Sequence, residues 1–433
     1  MKKFIFYSLI LLSMSIEAKP TNIIFLIGDG MGPAYTTAYR YYSDNPKTPK
    51  VESTIFDTLL IGSASTYPDD DTIVTDSAAA ATALATGHKT YNGAVGINRN
   101  KQKLTSILKT AKSRGYNTGI VVTSELSHAT PAGFVAHSTS RKNKYDIAKQ
   151  FYTNKFDGKP IVDLMLGGGT KYFNKELTLG KRTKTVTKWL KSAGYKYFKS
   201  LDELDQLNTL PALGLFAEKG LTAAINSEHP DRLSIMTEAA LRVLGKDEKP
   251  FFLMIEASQI DWCGHSNDIS CAMAEMDDFA KTLTMVKHYV DESKNTLMVA
   301  TADHSTGGLS LGYNKIYQWK ADIVKQVHAT TRRIAEQLEG SKAIATDWHK
   351  FIDFSLTESE ERTLAAVIDN KDEIKDVVRQ IIINRSKTGW TTKGHDAVDV
   401  QVFAAGVGSR AFRGFQDNTD ISRKLNYYLI NGA

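Results

Sequence analysis

The sequence predicts an α/β fold: a three-layer αβα sandwich around a large, mostly parallel sheet, with a helical insertion before the last sheet strand. Three observations lead there. Near-continuous apolar runs recur along the chain, as strands buried on both faces require. Helix-like stretches stand between those runs, the alternation that places helices on both sides of a sheet. Acidic and histidine side chains collect at the ends of the runs, where open parallel sheets bind ligands.

Taken in order, "TNIIFLIGDGMG" carries the apolar run Ile23–Ile27 into a glycine-rich turn containing Asp29, and reads as a buried strand. "GYNTGIVVTSELSHATPAG" predicts a second strand around Gly119–Thr123, and "KPFFLMIEASQID" another that ends near Glu256. "NTLMVATADHSTGG" predicts one ending near Asp303, and "DAVDVQVFAAG" the last. The helix-like stretches include Ser106–Arg114, Leu233–Leu244 and Met273–Val290. From Tyr313 to about Thr388 the chain turns polar and helical, with basic positions such as Arg332, Arg333 and Lys342. This stretch lies between one strand and the next, which marks an insertion and not a terminal domain.

The 433 residues, 42% of them hydrophobic, allow a real core in one large domain or two modest ones. A formal charge of +6 is slight for this length, and no aromatic-interleaved basic block appears, so no nucleic-acid-specific site is expected. Lys2 and Lys3 precede an apolar run from Phe4 to Leu12, and Ala18 follows a short polar stretch. That layout predicts a secretory signal over residues 1–18, cleaved near Ala18, and a periplasmic or secreted mature chain over 19–433 with its insertion at about 313–388. No cysteine near the cleavage point suggests a lipid anchor, and no later segment is long and apolar enough to span a membrane. Cys263 and Cys271 are the only cysteines. Export permits a disulfide, their close spacing strains one, and the sequence leaves both states open.

"VTDSAAAATALATG", Val74–Gly87, sets Asp76 and Ser77 directly before a run of alanines. Alanine is the best helix former and Gly87 supplies a stop, so the run predicts a helix whose first turn holds Ser77. Asp76 or Ser77 is then either a helix cap or, for Ser77, a nucleophile placed where the dipole and free N–H groups favour negative charge and phosphate. The stretch alone does not choose.

The strand ends do more. Asp29 follows the first strand, Glu256 ends another with Asp261 and His265 shortly after, Asp303 and His304 end the next, and His395 stands just before the final one. Each alone has an ordinary structural reading: an Asp-Gly pair is usually a turn, and a lone histidine is usually a satisfied packing residue. Together they form a ligand set. Carboxylate oxygens and imidazole nitrogens suit zinc, and a spacing of four puts Asp261 and His265 on one face of a helical turn. The set exceeds what one ion needs. Two ions can hold the attacking and leaving oxygens of an in-line phosphoryl displacement. "GDGMGP" is not a dinucleotide loop, because Pro33 replaces its last glycine, and "GGGT" at Gly167–Thr170 lacks the lysine of a phosphate-binding loop.

At this point the chain resembles the alkaline phosphatase family. The residues that carry the resemblance are "IGDGMG", "TDSAAAATALATG", "HATPAGFVAHSTSR", "IEASQIDWCGH", "TADHSTGG" and "GHDAVDVQVFAAG", in the family's order from Ile27 to Gly406. The resemblance implies hydrolysis of small phosphate monoesters through a phosphoserine on Ser77, two zinc ions, a third ion that is usually magnesium, and a homodimer. It assigns Asp261, His265 and His395 to the first zinc, and Asp29, Asp303, His304 and Ser77 to the second. Asp29, Thr130 and Glu256 fall to the third ion, and Arg141 to the phosphate, as a planar two-pronged donor, with Asp76, His128 and Trp262 around the ligands and the bound substrate. Two positions depart from one bacterial version of the pattern: His128 stands where Asp occurs, and Trp262 where Lys occurs. The identity of the third ion is therefore the least constrained. A phosphodiesterase of the same metal superfamily is the runner-up, disfavoured by Arg141 and Ser77. A sulfatase is disfavoured by the alanines after Ser77, and a phosphate- or metal-binding protein without turnover by the intact nucleophile.

Overall fold

The computed structural model describes residues 19–431, so the predicted signal over 1–18 lies outside the described residues. Ten strands form the main sheet: β1 (Asn22–Gly28), β2 (Leu60–Ser65), β3 (Asn117–Glu125), β4 (Leu164–Gly168), β5 (Lys196–Phe198), β6 (Ala212–Leu215), β7 (Phe251–Ala257), β8 (Thr296–Ala302), β9 (Val400–Gly406) and β10 (Gly414–Asp417). They lie in the order β10-β2-β9-β8-β1-β7-β3-β4-β6-β5. Every neighbouring pair is parallel except the two made by β9, which runs against β8 and β2.

The central strands are apolar on both faces because helices cover both. Ile23 to Ile27 are wholly buried, and β7 and β8 are buried along their whole lengths. The helices that matter for the site are α1 (Pro33–Ser43), α2 (Ser77–Thr86), α3 (Ile107–Ser113), α4 (Ala129–Val135), α5 (Arg232–Leu244), α6 (Gln259–His265), α7 (Ile269–Ser293), α8 (Thr331–Leu338), α9 (Lys371–Ser386) and α10 (Asn418–Asn431). The expected α3, α5 and α7 are all present, each longer or shorter than expected by a few residues at its ends, where fraying and caps decide the limits.

The sequence reading ends the sheet at β9, whereas the structure adds β10, parallel to β2 at the sheet edge. Strands β2, β4, β5 and β6 escape the sequence reading too. They are three to six residues long and several contain glycine or polar positions, too little periodicity to register. The helical stretch between β8 and β9 holds five short helices, including α8 and α9, packed on one another through buried Ile334, Leu338, Trp348, Leu364 and Val378. Among the described residues no helix is long and apolar enough to cross a membrane.

Candidate active site

Parallel strands all point the same way, so the residues just past β1, β7 and β8 meet along one edge of the sheet. Asp29, Glu256 and Asp303 arrive there from three adjacent strands, and each is fully buried. His395 joins them from the opposite chain direction. It precedes β9, and because β9 is antiparallel its beginning lies at that same edge. Gly30 turns the chain out of β1 with φ of +73°, and a Cβ there would stand 2.7 Å from the Asp261 backbone. Its amide donates to Asp303 Oδ1 at 3.1 Å.

Both readings of the Asp76–Ser77 pair hold at once. Asp76 is the cap of α2, its Oδ1 accepting from the amides of Ala79 at 2.9 Å and Gly93 at 3.0 Å. Its Oδ2 accepts from Arg141 Nη1 at 3.0 Å, so one carboxylate ties the helix start to the guanidinium. Ser77, the first helical residue, is left free of capping. The residue is 1% exposed, and its hydroxyl lies 3.1 Å from His304 Nε2.

The three imidazoles share one polarity. His265 Nδ1 lies 2.6 Å from the carbonyl of Lys393, and His395 Nδ1 lies 2.8 Å from the carbonyl of Thr75. A carbonyl only accepts, so both Nδ1 atoms carry the proton. Thr306 Oγ1 donates to Asp261 Oδ1 at 2.6 Å and therefore accepts from His304 Nδ1 at 3.2 Å. In their neutral forms all three rings therefore present Nε2 lone pairs to the site, while the Asp261 carboxylate beside His265 Nε2 raises that ring's pKa and favours a proton there in the absence of a cation. The His304 and His395 rings stack at 3.6 Å, and His395 Nε2 lies 3.2 Å from His265 Nε2. Asp261 stands beside them, with Oδ2 3.3 Å from His265 Nε2 and Oδ1 3.5 Å from His395 Nε2.

A second group surrounds His304 Nε2, with Asp29 Oδ1 and Asp303 Oδ2 both 3.4 Å away. Burial and the neighbouring Asp303, Asp261 and Glu256 charges push the Asp29 carboxyl well up. Burial and Asp303 raise Glu256 to about 8, and burial and Asp261 raise Asp303 to about 7. Against the cost of burial, the His265 hydrogen bond and the surrounding imidazoles hold Asp261 below the usual carboxylate range. Burial and His395 press His304 well down. Asp29 Oδ1, Asp303 Oδ2 and both Glu256 oxygens have no hydrogen-bond partner among the described residues. Buried acceptors without donors, facing imidazole lone pairs, fit divalent cations.

Three sets of donor atoms are close enough to share an ion: Asp261, His304 and His395; Asp29, Asp303 and His304; Asp29, His128 and Glu256. The first brings His304 beside the expected Asp261 and His395, with His265 Nε2 adjoining. The third contains His128, which the sequence reading placed only nearby, while Thr130 Oγ1 donates to Asp29 Oδ2 at 3.4 Å. Burial and Arg141 lower His128 to about 4, and its Nε2 lies 3.4 Å from Arg141 Nη2. Trp262 packs edge-on to His128, and a Cβ on Gly220 would stand 2.4 Å from its ring. Sequence reasoning missed Thr306, whose hydroxyl orients ligands of two sets, and Glu125, a buried carboxylate that pairs with Lys144 behind His128. Only three-dimensional proximity marks either.

The Arg141 guanidinium, the start of α2 and a row of imidazoles and buried carboxylates meet at one edge of the sheet, an arrangement of the metal-dependent phosphoesterase class. The alkaline phosphatase family model matches residues 20–430. Alkaline phosphatase 3 of Bacillus subtilis is 42% identical over 411 residues, covering 93% of this chain and 88% of its own. A cold-active alkaline phosphatase from a psychrophilic Shewanella superposes with a TM-score of 0.89 at 43% identity, over 94% of this chain and 99% of that one. Alkaline phosphatase of the Antarctic bacterium TAB5 superposes at 0.71 with 26% identity, over 96% and 99%. The chain belongs to the alkaline phosphatase family, metal-dependent hydrolases of phosphate monoesters.

Proposed function

We propose that the chain hydrolyses small phosphate monoesters through a phosphoserine on Ser77, with two zinc ions and a third ion, magnesium, as cofactors. The first zinc falls to Asp261, His265 and His395, the second to Asp29, Asp303, His304 and Ser77, and the third ion to Asp29, Thr130 and Glu256. The observation that carries this reading is the approach of His265 Nε2 and His395 Nε2, 3.2 Å apart with Asp261 beside them. With both rings neutral these are two facing lone pairs, and a shared cation satisfies both together with the Asp261 carboxylate.

Arg141 offers two parallel N–H groups to two phosphoryl oxygens, and its ion pair with Asp76 keeps the fork aimed at the start of α2. The helix N-terminus favours the negative charge that gathers there. Bound ions supply positive charge at the attacking and leaving oxygens. Ser77 Oγ, held by the first turn of α2, forms its bond to phosphorus as the bond to the leaving alcohol oxygen breaks in line. Water then attacks the phosphoserine, releasing inorganic phosphate and restoring the Ser77 hydroxyl. Trapping labelled phosphate on Ser77 from p-nitrophenyl phosphate, and losing the label in Ser77→Ala, tests the assignment. Comparing that substrate with its bis-ester tests monoesterase against diesterase.

We also propose export, with cleavage near Ala18. The disulfide between Cys263 and Cys271, whose Cα atoms are 5.5 Å apart, fits an oxidising compartment. A mature N-terminus at Lys19 on exported protein checks this. The stretch 313–388 is read as an insertion in a single domain 19–433 that affects access or subunit contact more than the chemistry. A homodimer is the expected assembly, checked by sedimentation, and shortening the insertion should shift assembly or the preference for bulky esters.

A further inference from the structure

A pocket of about 510 Å³ opens beside the candidate site, between the disulfide-bridged turn joining α6 to α7 and the inserted helices α8 and α9. Its inner wall carries Trp262 and His265, and its outer wall carries Arg332 from α8 and Lys375 and Arg379 from α9, with Lys393 at the side. A spacing of four places Lys375 and Arg379 on one face of α9.

The one carboxylate in the lining, Asp268, is spent on the scaffold. It accepts from Cys271 N at 3.1 Å and Thr331 N at 2.7 Å, fastening the first turn of α8 to the disulfide turn. Asn226 holds the same corner, donating to Thr330 Oγ1 and accepting from Thr330 N, both at 3.0 Å. The basic wall is thus docked on the site. The partners of its cations point outward: Glu336, Asp372 and Asp376 have side chains 42%, 84% and 53% exposed, so those pairs are weak and exchangeable. Lys393 has no ion pair among the described residues.

The pocket also lies on the correct side for a leaving group. Ser77 touches His304, His304 stacks on His395, and His395 faces His265, which lines the pocket. In-line attack by Ser77 therefore sends the leaving alcohol toward the His265 end. We propose that this pocket is a leaving-group subsite for phosphate monoesters whose alcohol carries a second negative charge. The proposal rests on the phosphoserine reading above.

The test uses three esters of one four-carbon alcohol with the metal-loaded enzyme: butane-1,4-diol monophosphate, 4-(phosphonooxy)butanoate and butane-1,4-diol bisphosphate, the last counted per phosphate. At low ionic strength at least one anionic ester should show kcat/KM about 3- to 10-fold above the neutral one. The larger gain tells whether a carboxylate or a phosphoryl group is preferred. Added salt should shrink the advantage, and Lys375→Ser with Arg379→Ser should remove most of it. Because each ratio is taken within one preparation, partial misfolding cancels, and Arg332→Ser, at an exposed position, repeats the test without touching α9. Equal values for the three esters, or an advantage that survives in both variants, overturns the subsite. Wild-type enzyme inactive on p-nitrophenyl phosphate overturns the phosphomonoesterase reading itself.

Discussion

His265 and His395 face each other Nε2 to Nε2 across 3.2 Å, each anchored from behind by an Nδ1–H donated to a backbone carbonyl. The two carbonyls, of Lys393 and Thr75, belong to segments far apart in the chain. The fold therefore holds two neutral-ring lone pairs and the Asp261 carboxylate around one point, where a cation serves all three. A strong chelator should abolish activity, and zinc should restore it with about two zinc ions per chain. Zinc at 100 times its dissociation constant should also raise stability by about 2.7 kcal/mol. His265→Ala should reduce that gain in thermal denaturation. Full turnover in a verified metal-free sample would falsify the reading.

Ser77→Ala should leave α2 intact, because alanine is favoured in the helix and Asp76 remains the cap. Turnover should fall by at least about 10³-fold with no phosphoenzyme, a residue of activity persisting where water attacks directly. Equal melting temperatures alongside the loss separate chemistry from folding. Labelled phosphate on the variant would place the nucleophile elsewhere.

Asp76 serves two structures, and two substitutions separate them. Asp76→Asn keeps an acceptor for Ala79 N but loses the charge facing Arg141, so stability should hold while kcat/KM falls several-fold. Asp76→Ala should in addition cost about 1 kcal/mol in denaturant unfolding. Identical unfolding of the two variants contradicts the capping role.

Asp57 pairs with Arg40, Nε to Oδ2 at 2.9 Å, and also accepts from Thr54 N at 2.8 Å. The Arg40 hydrogen bond, against some burial, holds its carboxyl below the usual value of 3.8. A depressed folded pKa gives stability that is fully present above pH 3.8 and lost as pH falls through the folded value. Asp57→Asn should therefore destabilise by about 0.5–1 kcal/mol near neutrality and by progressively less below pH 3.8. A difference that stays constant down to the acid range argues against the ion pair.

His128 lies with Asp29 and Glu256, so His128→Asp adds an oxygen ligand at the third site and should sharpen magnesium dependence. Trp262→Lys should lower the inhibition constant for phosphate and the turnover number together, since slower product release follows tighter binding. The same variant loses the packing on His128 and Gly220, about 1–3 kcal/mol. An unchanged inhibition constant with lowered stability assigns Trp262 to packing alone.

The order of amino acids alone dictates the central strands and the residues just past their ends. The runs at β1, β3, β7 and β8 are apolar enough to be buried on both faces, and burial of a strand is written in its own residues. Once those strands are parallel, Asp29, Glu256 and Asp303 must fall on one edge, and the alanine run must present Ser77 at a helix start. His395 is different. Before a parallel strand it would lie at the far edge, and it joins the site only because β9 runs antiparallel to β8. Strand direction depends on pairing between segments about a hundred residues apart, which no local periodicity records. The same holds for β10, for Thr306 between Asp261 and His304, for His128 beside Glu256, and for the basic wall that α8 and α9 bring to His265. The Cys263–Cys271 pair is also open at the level of sequence. Folding in three dimensions closes the question, because the turn from α6 to α7 brings the two Cα atoms within 5.5 Å.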